Sequence, residues 1–190
     1  KRGGVCLGAD PGRSFAKVKF DFPHLRDYVM DRNIMADVSE TATTWTNLLK
    51  LYKNGVADVE STIRDTGVAP WVGCHVSHSY HTGASLYFTF GCLQRKGREI
   101  EQYLYIKKAA EDAFMKNGGT LSHHHAVGTE HLPWVEDEIS ATGVKAVQAL
   151  KDGLDPRSIM NPGKIIPPAE PLKEWGLSEG EIRQFSDSGK

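Results

Sequence analysis

The apolar residues of the chain follow two different periods. Between Thr44 and Gly67 they recur every three or four residues, which predicts an amphipathic helix that ends at the glycine. This stripe consists of Trp45, Leu48, Leu49, Tyr52, Val56, Val59 and Ile63. The same spacing predicts a short helix around residues 22–29 and longer helices over 97–117 and 131–152.

Strict alternation replaces the helical period in the middle of the chain. Residues 71–80 and 85–93 read as two strands, and the glycine-containing turn at 81–83 joins them into a β-hairpin. In the second strand the core-facing residues are Leu86, Phe88 and Phe90. Tyr87 therefore points to the opposite face of the predicted sheet.

Two shorter extended segments are predicted at residues 17–20 and 35–38. Helices and strands in this order predict an α+β fold, in which helices cover one face of an antiparallel sheet and a helical C-terminal segment follows. Tyr87 would then lie on the uncovered face of the sheet.

Composition narrows the class of protein. With 190 residues, 39% of them hydrophobic, the chain can bury one normal core. A net charge of -1 offers no field for nucleic acid or an anionic membrane, and no apolar run is long enough to form a transmembrane segment. Three irregularly spaced cysteines indicate reduced thiols of an intracellular protein, cytoplasmic if the source is bacterial.

The least ordinary stretch is a run of three histidines at a corner made by glycines. Gly118 and Gly119 end the preceding helix, and the run His123–His125 follows after three residues. In an extended chain, the outer two histidines would point one way and His124 the other. Because imidazole gives and takes protons near neutral pH, the residues alone leave three interpretations: an exposed loop without a role, a zinc site, or a catalytic or cofactor-facing site.

The stretch 118–128 resembles the histidine-run motif of the alkyldihydroxyacetonephosphate synthase family, flavoenzymes of the vanillyl-alcohol oxidase superfamily. Residues 74–88 resemble the strand pair that carries the active-site tyrosine of this family, and 25–27 resemble its substrate-binding helix. Residues 154–164 resemble the ending of FAD-linked oxidases, where the chain returns to the flavin domain.

This resemblance implies a ferredoxin-like cap (substrate) domain over residues 1–153 and a returning segment over 154–190, with a loosely packed tail from 167. Because the chain starts without methionine, we expect a piece of a longer protein whose FAD-binding domain precedes Lys1. The implied reaction exchanges the acyl group of acyl-dihydroxyacetone phosphate for a fatty alcohol, and it uses FAD without net redox change. A homodimer is a further expectation.

The resemblance also assigns roles to residues. The implied catalytic residues are Tyr87, His123, His124 and His125. Arg26 would bind the substrate, because its planar fork of donors suits a phosphate or carboxylate. The implied cofactor-binding residues are His124, His125 and Asn161, and no metal is expected. Tyr87 would shuttle a proton if its neighbours brought its pKa nearer neutrality.

Three other functions stay open. An FAD-linked 2-hydroxyacid or alcohol dehydrogenase would carry a metal site of two histidines and a glutamate. Here His81 remains, but Tyr87 and His124 stand in place of the other two ligands. A zinc-binding module would use His75, His78, His123 and His125. The last alternative is a non-catalytic interaction domain.

Overall fold

The computed structural model describes residues 3–166, apart from the side chains at positions 22 and 23. The elements in chain order are α1 (Asp10–Val18), α2 (Phe22–Met30), β1 (Ile34–Thr44), α3 (Leu48–Asp65), β2 (Trp71–Ser79), β3 (Gly83–Leu93), α4 (Glu99–Lys116), a 3-10 turn (Leu132–Trp134) and α5 (Val135–Leu154). The run β1-α3-β2-β3-α4 corresponds to the first five elements of the ferredoxin-like βαββαβ arrangement. A fourth strand of this sheet is absent from residues 3–166.

The three strands form one antiparallel sheet in the order β1-β3-β2. In its register, Tyr87 of the central strand pairs with Glu40 of β1 on one side and with His75 of β2 on the other. Because directly paired residues share a face of the sheet, these three side chains lie on the same side. We call this side the open face, since α3 and α4 pack against the other one.

The core lies between the sheet and these two helices. Phe88 and Phe90 are fully buried there, and the ring of Phe88 lies 4.6 Å from that of Phe114 on α4. Helix α3 approaches the sheet at Gly55, where an added Cβ would lie 3.1 Å from the Phe88 ring. The prediction of an α+β fold with an antiparallel sheet and a helical layer is thus confirmed. The expectation that helices cover one face only is wrong, because α2 packs beside β1 on the other face.

The hairpin prediction is also confirmed, since β2 and β3 occupy the expected residues. The strand expected at 17–20 is wrong: α1 covers residues 10–18, and Pro11 fits its first turn. The segment expected at 35–38 is a strand of 11 residues, because its polar second half also pairs with β3.

The helix predicted from Thr44 begins at Leu48, because Thr44 still pairs with Gly83 of β3. Part of its predicted apolar stripe is also wrong. Leu51 is fully buried, whereas Leu49 and Tyr52 are 61% and 41% exposed. No helix among residues 3–166 is long and apolar enough to cross a membrane. The tail expected from residue 167 lies outside the described residues.

Candidate active site

The histidine corner is attached to β1 by the residues that precede it. Gly119 packs so closely that an added Cβ would lie 2.4 Å from Thr41 Oγ1. Thr41 Oγ1 donates a hydrogen bond to the Thr120 carbonyl (2.7 Å), and the Thr120 amide donates to the Ala42 carbonyl (2.9 Å). This pairing leads the following residues over the open face, beside Glu40.

Glu40 organises the corner. Its side chain is buried, and Oε1 accepts hydrogen bonds from the backbone N–H groups of His123 (2.5 Å), His124 (2.5 Å) and His125 (3.1 Å). Because three consecutive N–H groups converge on one oxygen, the run is bent, and the expected alternation of an extended chain is wrong. Burial raises the pKa of Glu40, but these N–H groups outweigh it and hold the pKa below its ordinary value.

The histidines of the run differ in their contacts, although the His78 ring lies within 5.2 Å of both His123 and His124. His123 Nε2 lies 2.7 Å from the Tyr80 hydroxyl. The His124 ring lies 5.1 Å from the ring of His78. His125 meets Tyr87 edge-on, with ring centroids 5.5 Å apart. The bend thus distributes three imidazoles over one side of the sheet.

Tyr87 and His125 have opposite protonation tendencies. Burial raises the pKa of Tyr87, and the carboxylates of Asp37 and Glu40 raise it further. The condition set for proton shuttling, a pKa nearer neutrality, is therefore not met, and the Tyr87 hydroxyl favours its protonated form. Burial lowers the pKa of His125, which favours a neutral ring that can accept a proton.

Arg26 lies on the same side of the molecule as Tyr87. It lines a cavity of about 320 Å³ whose walls are mostly apolar and include Val38 and Thr89. Thr89 is two residues from Tyr87 and so shares its face of β3. A neighbouring cavity contains His125, and the two cavities have Asp37 and Val38 in common.

The second cavity, of about 360 Å³, lies between β1, α4 and the loop after the histidines. Lys107 is buried in its wall, 3.2 Å from Asp37 Oδ2, and donates to the Val38 carbonyl at 2.8 Å. This ion pair offsets the charge of Asp37, which also lines the Arg26 cavity. Neither a hydrogen bond nor an ion pair reaches the Arg26 guanidinium from the described residues.

Asn161 does not join the group. It lines a separate cavity with the end of α5 and the residues around Ile165. Within residues 3–166, a long backbone contact runs from this segment toward the histidine loop: the Ile165 amide lies 3.5 Å from the Gly128 carbonyl. A contact between Asn161 and the cofactor stays a prediction.

Two groups of side chains have the spacing of metal ligands. In each of them the ligating atoms lie within 4.8 Å of one another; the groups are His78, His123, His124 and Glu40, His124, His125. His75 belongs to neither group, and its ring instead lies 5.2 Å from that of Tyr87. The zinc set considered from the sequence therefore differs from both groups, and the expectation of no metal stays a prediction.

Glu40 and Tyr80 were not predicted from the sequence as residues of the site. The strand prediction ended at residue 38, so Glu40 was not placed on the sheet at all. A pairing of the alternating segment 34–44 with β3 would have revealed it opposite Tyr87. Tyr80 lies just before the hairpin turn and has no distinguishing pattern of its own.

Comparison with known proteins identifies the family of the chain. Residues 13–165 match the family model described as FAD linked oxidases, C-terminal domain. The chain belongs to this family. As an FAD-linked oxidase domain, it is 37% identical over 167 residues to an alkyldihydroxyacetonephosphate synthase of Dictyostelium discoideum, covering 88% of this chain and 27% of the relative.

A second relative with the same name, from Trypanosoma brucei brucei, is 36% identical over 172 residues, which are 90% of this chain and 28% of the relative. A solved alkyldihydroxyacetonephosphate synthase structure superposes with a TM-score of 0.59 at 30% identity, over 84% of this chain and 25% of that one. The resemblance inferred from the motifs is thus confirmed. The chain spans about a quarter of the length of these relatives.

Proposed function

We propose that this chain is the substrate-binding part of an FAD-dependent enzyme that exchanges the acyl group of acyl-dihydroxyacetone phosphate for a fatty alcohol, a step of ether-lipid synthesis. The observation that carries the proposal is the convergence of Tyr87, Glu40 and His123–His125 on the open face, next to the Arg26 cavity. The names of the two relatives above support the choice of reaction.

The Arg26 cavity suits a phosphorylated lipid-like substrate. Its guanidinium offers paired N–H donors in the geometry that a phosphate requires. The apolar side chains around it, Leu25, Val29, Ala36 and Val38, suit the carbon skeleton behind the phosphate. A substrate held there reaches toward the neighbouring cavity with His125, because the two cavities share a wall.

The residues of the open face fit a flavin. Tyr87 supplies a protonated phenol and His125 a ring that favours its neutral form, a donor and an acceptor for a ring system with several nitrogen and oxygen atoms. His124 is exposed beside them. FAD, when bound, supplies the electron reservoir for an exchange without net redox change; we propose that another domain of the full-length protein holds most of it.

In this proposal the chain's own residues position the substrate and the cofactor and donate hydrogen bonds to the substrate. Arg26 fixes the phosphate, and the Tyr87 hydroxyl donates a hydrogen bond to the substrate. His124 and His125 orient the substrate against the cofactor. Asn161 is proposed as a further cofactor contact from the segment after α5.

A product assay on the full-length enzyme tests the reaction. Supplied with acyl-dihydroxyacetone phosphate and a long-chain alcohol, it should release fatty acid and form the alkyl product, with no reduction of an added dye. Dye reduction with a 2-hydroxyacid and no alkyl product would instead establish a dehydrogenase. Neither activity in an FAD-loaded protein would support an interaction domain.

A further inference from the structure

Tyr80 is a second tyrosine with a fixed hydroxyl at the histidine corner. It directly follows β2, and its backbone is held on both sides: its amide donates to the Gly83 carbonyl (2.8 Å), and Trp45 Nε1 donates to its carbonyl (3.0 Å). Its side chain lines a cavity of about 400 Å³ together with His123 and the glycine corner at 118–119. This cavity is distinct from those of Arg26 and His125.

A hydroxyl, an imidazole and a carboxylate follow one another beside this cavity. The Tyr80 hydroxyl lies 2.7 Å from His123 Nε2, and His123 Nδ1 lies 3.2 Å from Glu40 Oε2. Carboxylate, imidazole and hydroxyl in this order form the arrangement that activates a hydroxyl in many enzymes, because the imidazole takes the proton and the carboxylate stabilises the resulting cation.

The surroundings of the two Glu40 oxygens favour transfer of the Tyr80 proton to His123. Oε1 is occupied by the backbone N–H groups of the corner, whereas no hydrogen bond from residues 3–166 satisfies the buried Oε2. An unsatisfied buried carboxylate oxygen costs free energy. His123 Nδ1 and His124 Nδ1 both lie 3.2 Å from Oε2, and they lie 2.9 Å from each other. A proton held between these two nitrogens offsets the charge at Oε2, and it leaves His123 Nε2 as an acceptor for the Tyr80 hydroxyl.

We propose that Tyr80, His123 and Glu40 form a proton relay that deprotonates the incoming alcohol. This inference rests on the proposed function. The bond between the substrate carbon and the acyl oxygen breaks, and both of its electrons leave on the fatty-acid carboxylate. The alcohol oxygen forms the new C–O bond to that carbon with an electron pair, its O–H bond breaks, and the proton goes to Tyr80 Oη. The proton of Tyr80 moves to His123 Nε2, and Glu40 stabilises the imidazolium. The proton then passes to solvent, so that a turnover releases one carboxylate and one proton.

The relay assigns separate tasks to the two tyrosines. Tyr80 would touch the alcohol and is the catalytic residue of the relay. Glu40 acts through His123 and is a positioning residue. Tyr87 and His125, on the adjoining part of the open face, serve the phosphorylated substrate.

The test compares two alcohols in the FAD-loaded full-length enzyme. One is a long-chain primary alcohol, and the other is the same alcohol with two fluorines on the carbon next to the hydroxyl-bearing one, which makes the hydroxyl more acidic. Tyr80→Phe should lower kcat with the ordinary alcohol by about 10²- to 10⁴-fold, the usual contribution of a general base. With the fluorinated alcohol, the loss should be at least roughly tenfold smaller, because this alcohol needs the base less.

Glu40→Gln keeps an oxygen for the backbone N–H groups but removes the charge, so it should show the same dependence on the alcohol. Glu40→Asp should restore part of the activity. The matched controls are Tyr52→Phe and Glu60→Gln, both on α3 outside the site, which should leave kcat unchanged.

Equal losses with both alcohols in Tyr80→Phe, or an unchanged kcat, would overturn the relay. Because the Tyr80 ring is half exposed, this variant should fold even if Glu40→Gln does not, and it decides the question alone. A wild-type enzyme that exchanges neither alcohol would instead reject the proposed function.

Discussion

At the scale of single residues, the surroundings of Tyr87 determine which proton transfers it can perform. Its raised pKa keeps the phenol protonated at neutral pH, so its hydroxyl can donate to the substrate. In the full-length enzyme, Tyr87→Phe should therefore lower kcat by about 10²- to 10⁴-fold. The flavin should stay bound, because the ring and its packing remain. Steady-state kinetics with the flavin absorbance spectrum measures both; an unchanged kcat would remove Tyr87 from the site.

Arg26 should act on substrate binding alone. Arg26→Lys keeps the charge but loses the paired donors, so KM for the phosphorylated substrate should rise by about tenfold or more, the value of a charged hydrogen bond. Arg32→Lys is the matched control: Arg32 stacks on the Tyr28 ring at 3.5 Å and lines neither cavity, so KM should not change. Equal KM values in both variants would exclude Arg26 from substrate binding.

At the scale of elements, the loop after the histidines is fastened to α4 by a buried pair of titrating groups. His131 Nε2 lies 3.5 Å from Glu111 Oε1, and His131 Nδ1 faces the Ala126 carbonyl at 2.9 Å. Burial lowers the pKa of His131, but the Glu111 carboxylate outweighs it and raises the pKa above its ordinary value. The loop that carries His125 is thus held by a charge that depends on pH.

Because the folded state binds this proton more tightly, the pair stabilises the fold fully below the unfolded histidine pKa of about 6.5, and its contribution is lost as pH rises through the raised pKa. Glu111→Gln should therefore lower the free energy of unfolding by the order of 1 kcal/mol at pH 6 and by less at pH 9. Urea unfolding at both pH values measures this. Glu60→Gln, which removes only an exposed ion pair with Arg64, should show no such trend; a loss that grew with pH would contradict the prediction.

The glycine corner requires a residue without a side chain at position 119. A Cβ there would lie 2.4 Å from Thr41 Oγ1 and 3.1 Å from Leu51 Cδ2. Gly119→Ala should lower the free energy of unfolding by about 1–3 kcal/mol, as overpacking does. Gly153→Ala on α5, where a Cβ meets no atom within 4 Å, should be neutral or slightly stabilising. Thermal unfolding compares the two, and equal effects would show that the close approach at Gly119 is relaxed in solution.

Elements with a local sequence pattern were predicted from the sequence, and those that depend on pairing with distant residues were not. The hairpin and α4 have a clear period and a glycine at their ends, so they were predicted correctly. The strand at 34–44 is half polar, because Glu40 faces the histidine corner, whereas Ser39 and Thr41 are buried on the other face and donate to Glu111 and to the Thr120 carbonyl. Its length comes from pairing with β3, which no local pattern shows.

The candidate site also depends on contacts between residues that are distant in the sequence. The three histidines were visible as a run, but their directions depend on Glu40, which lies 83 positions away from His123. Tyr80 and His123 are 43 positions apart and meet only through the sheet. Contacts of this kind are set by tertiary structure, and the resemblance to a family carried Tyr87 and Arg26 but neither Glu40 nor Tyr80.

At the scale of the whole molecule, the domain separates stability from chemistry by the two faces of one sheet. The face toward α3 and α4 holds the apolar core, with Phe88 and Phe90. The open face holds the charged and titratable groups around Tyr87. Neither α3 nor α4 covers the open face, and the chain spans about a quarter of the length of its relatives.

This division predicts how the chain alone should treat the cofactor. Binding of FAD depends strongly on its pyrophosphate, which requires a glycine-rich turn at a helix N-terminus, and the glycine spacing of this sequence provides no such motif. The isolated 190-residue chain should therefore bind FAD at least about a hundredfold more weakly than the full-length enzyme. Titration followed by flavin fluorescence measures this, with circular dichroism to verify that the chain is folded and the full-length enzyme as the positive control. A stoichiometric yellow complex of the folded chain would place the main flavin contacts on the open face itself.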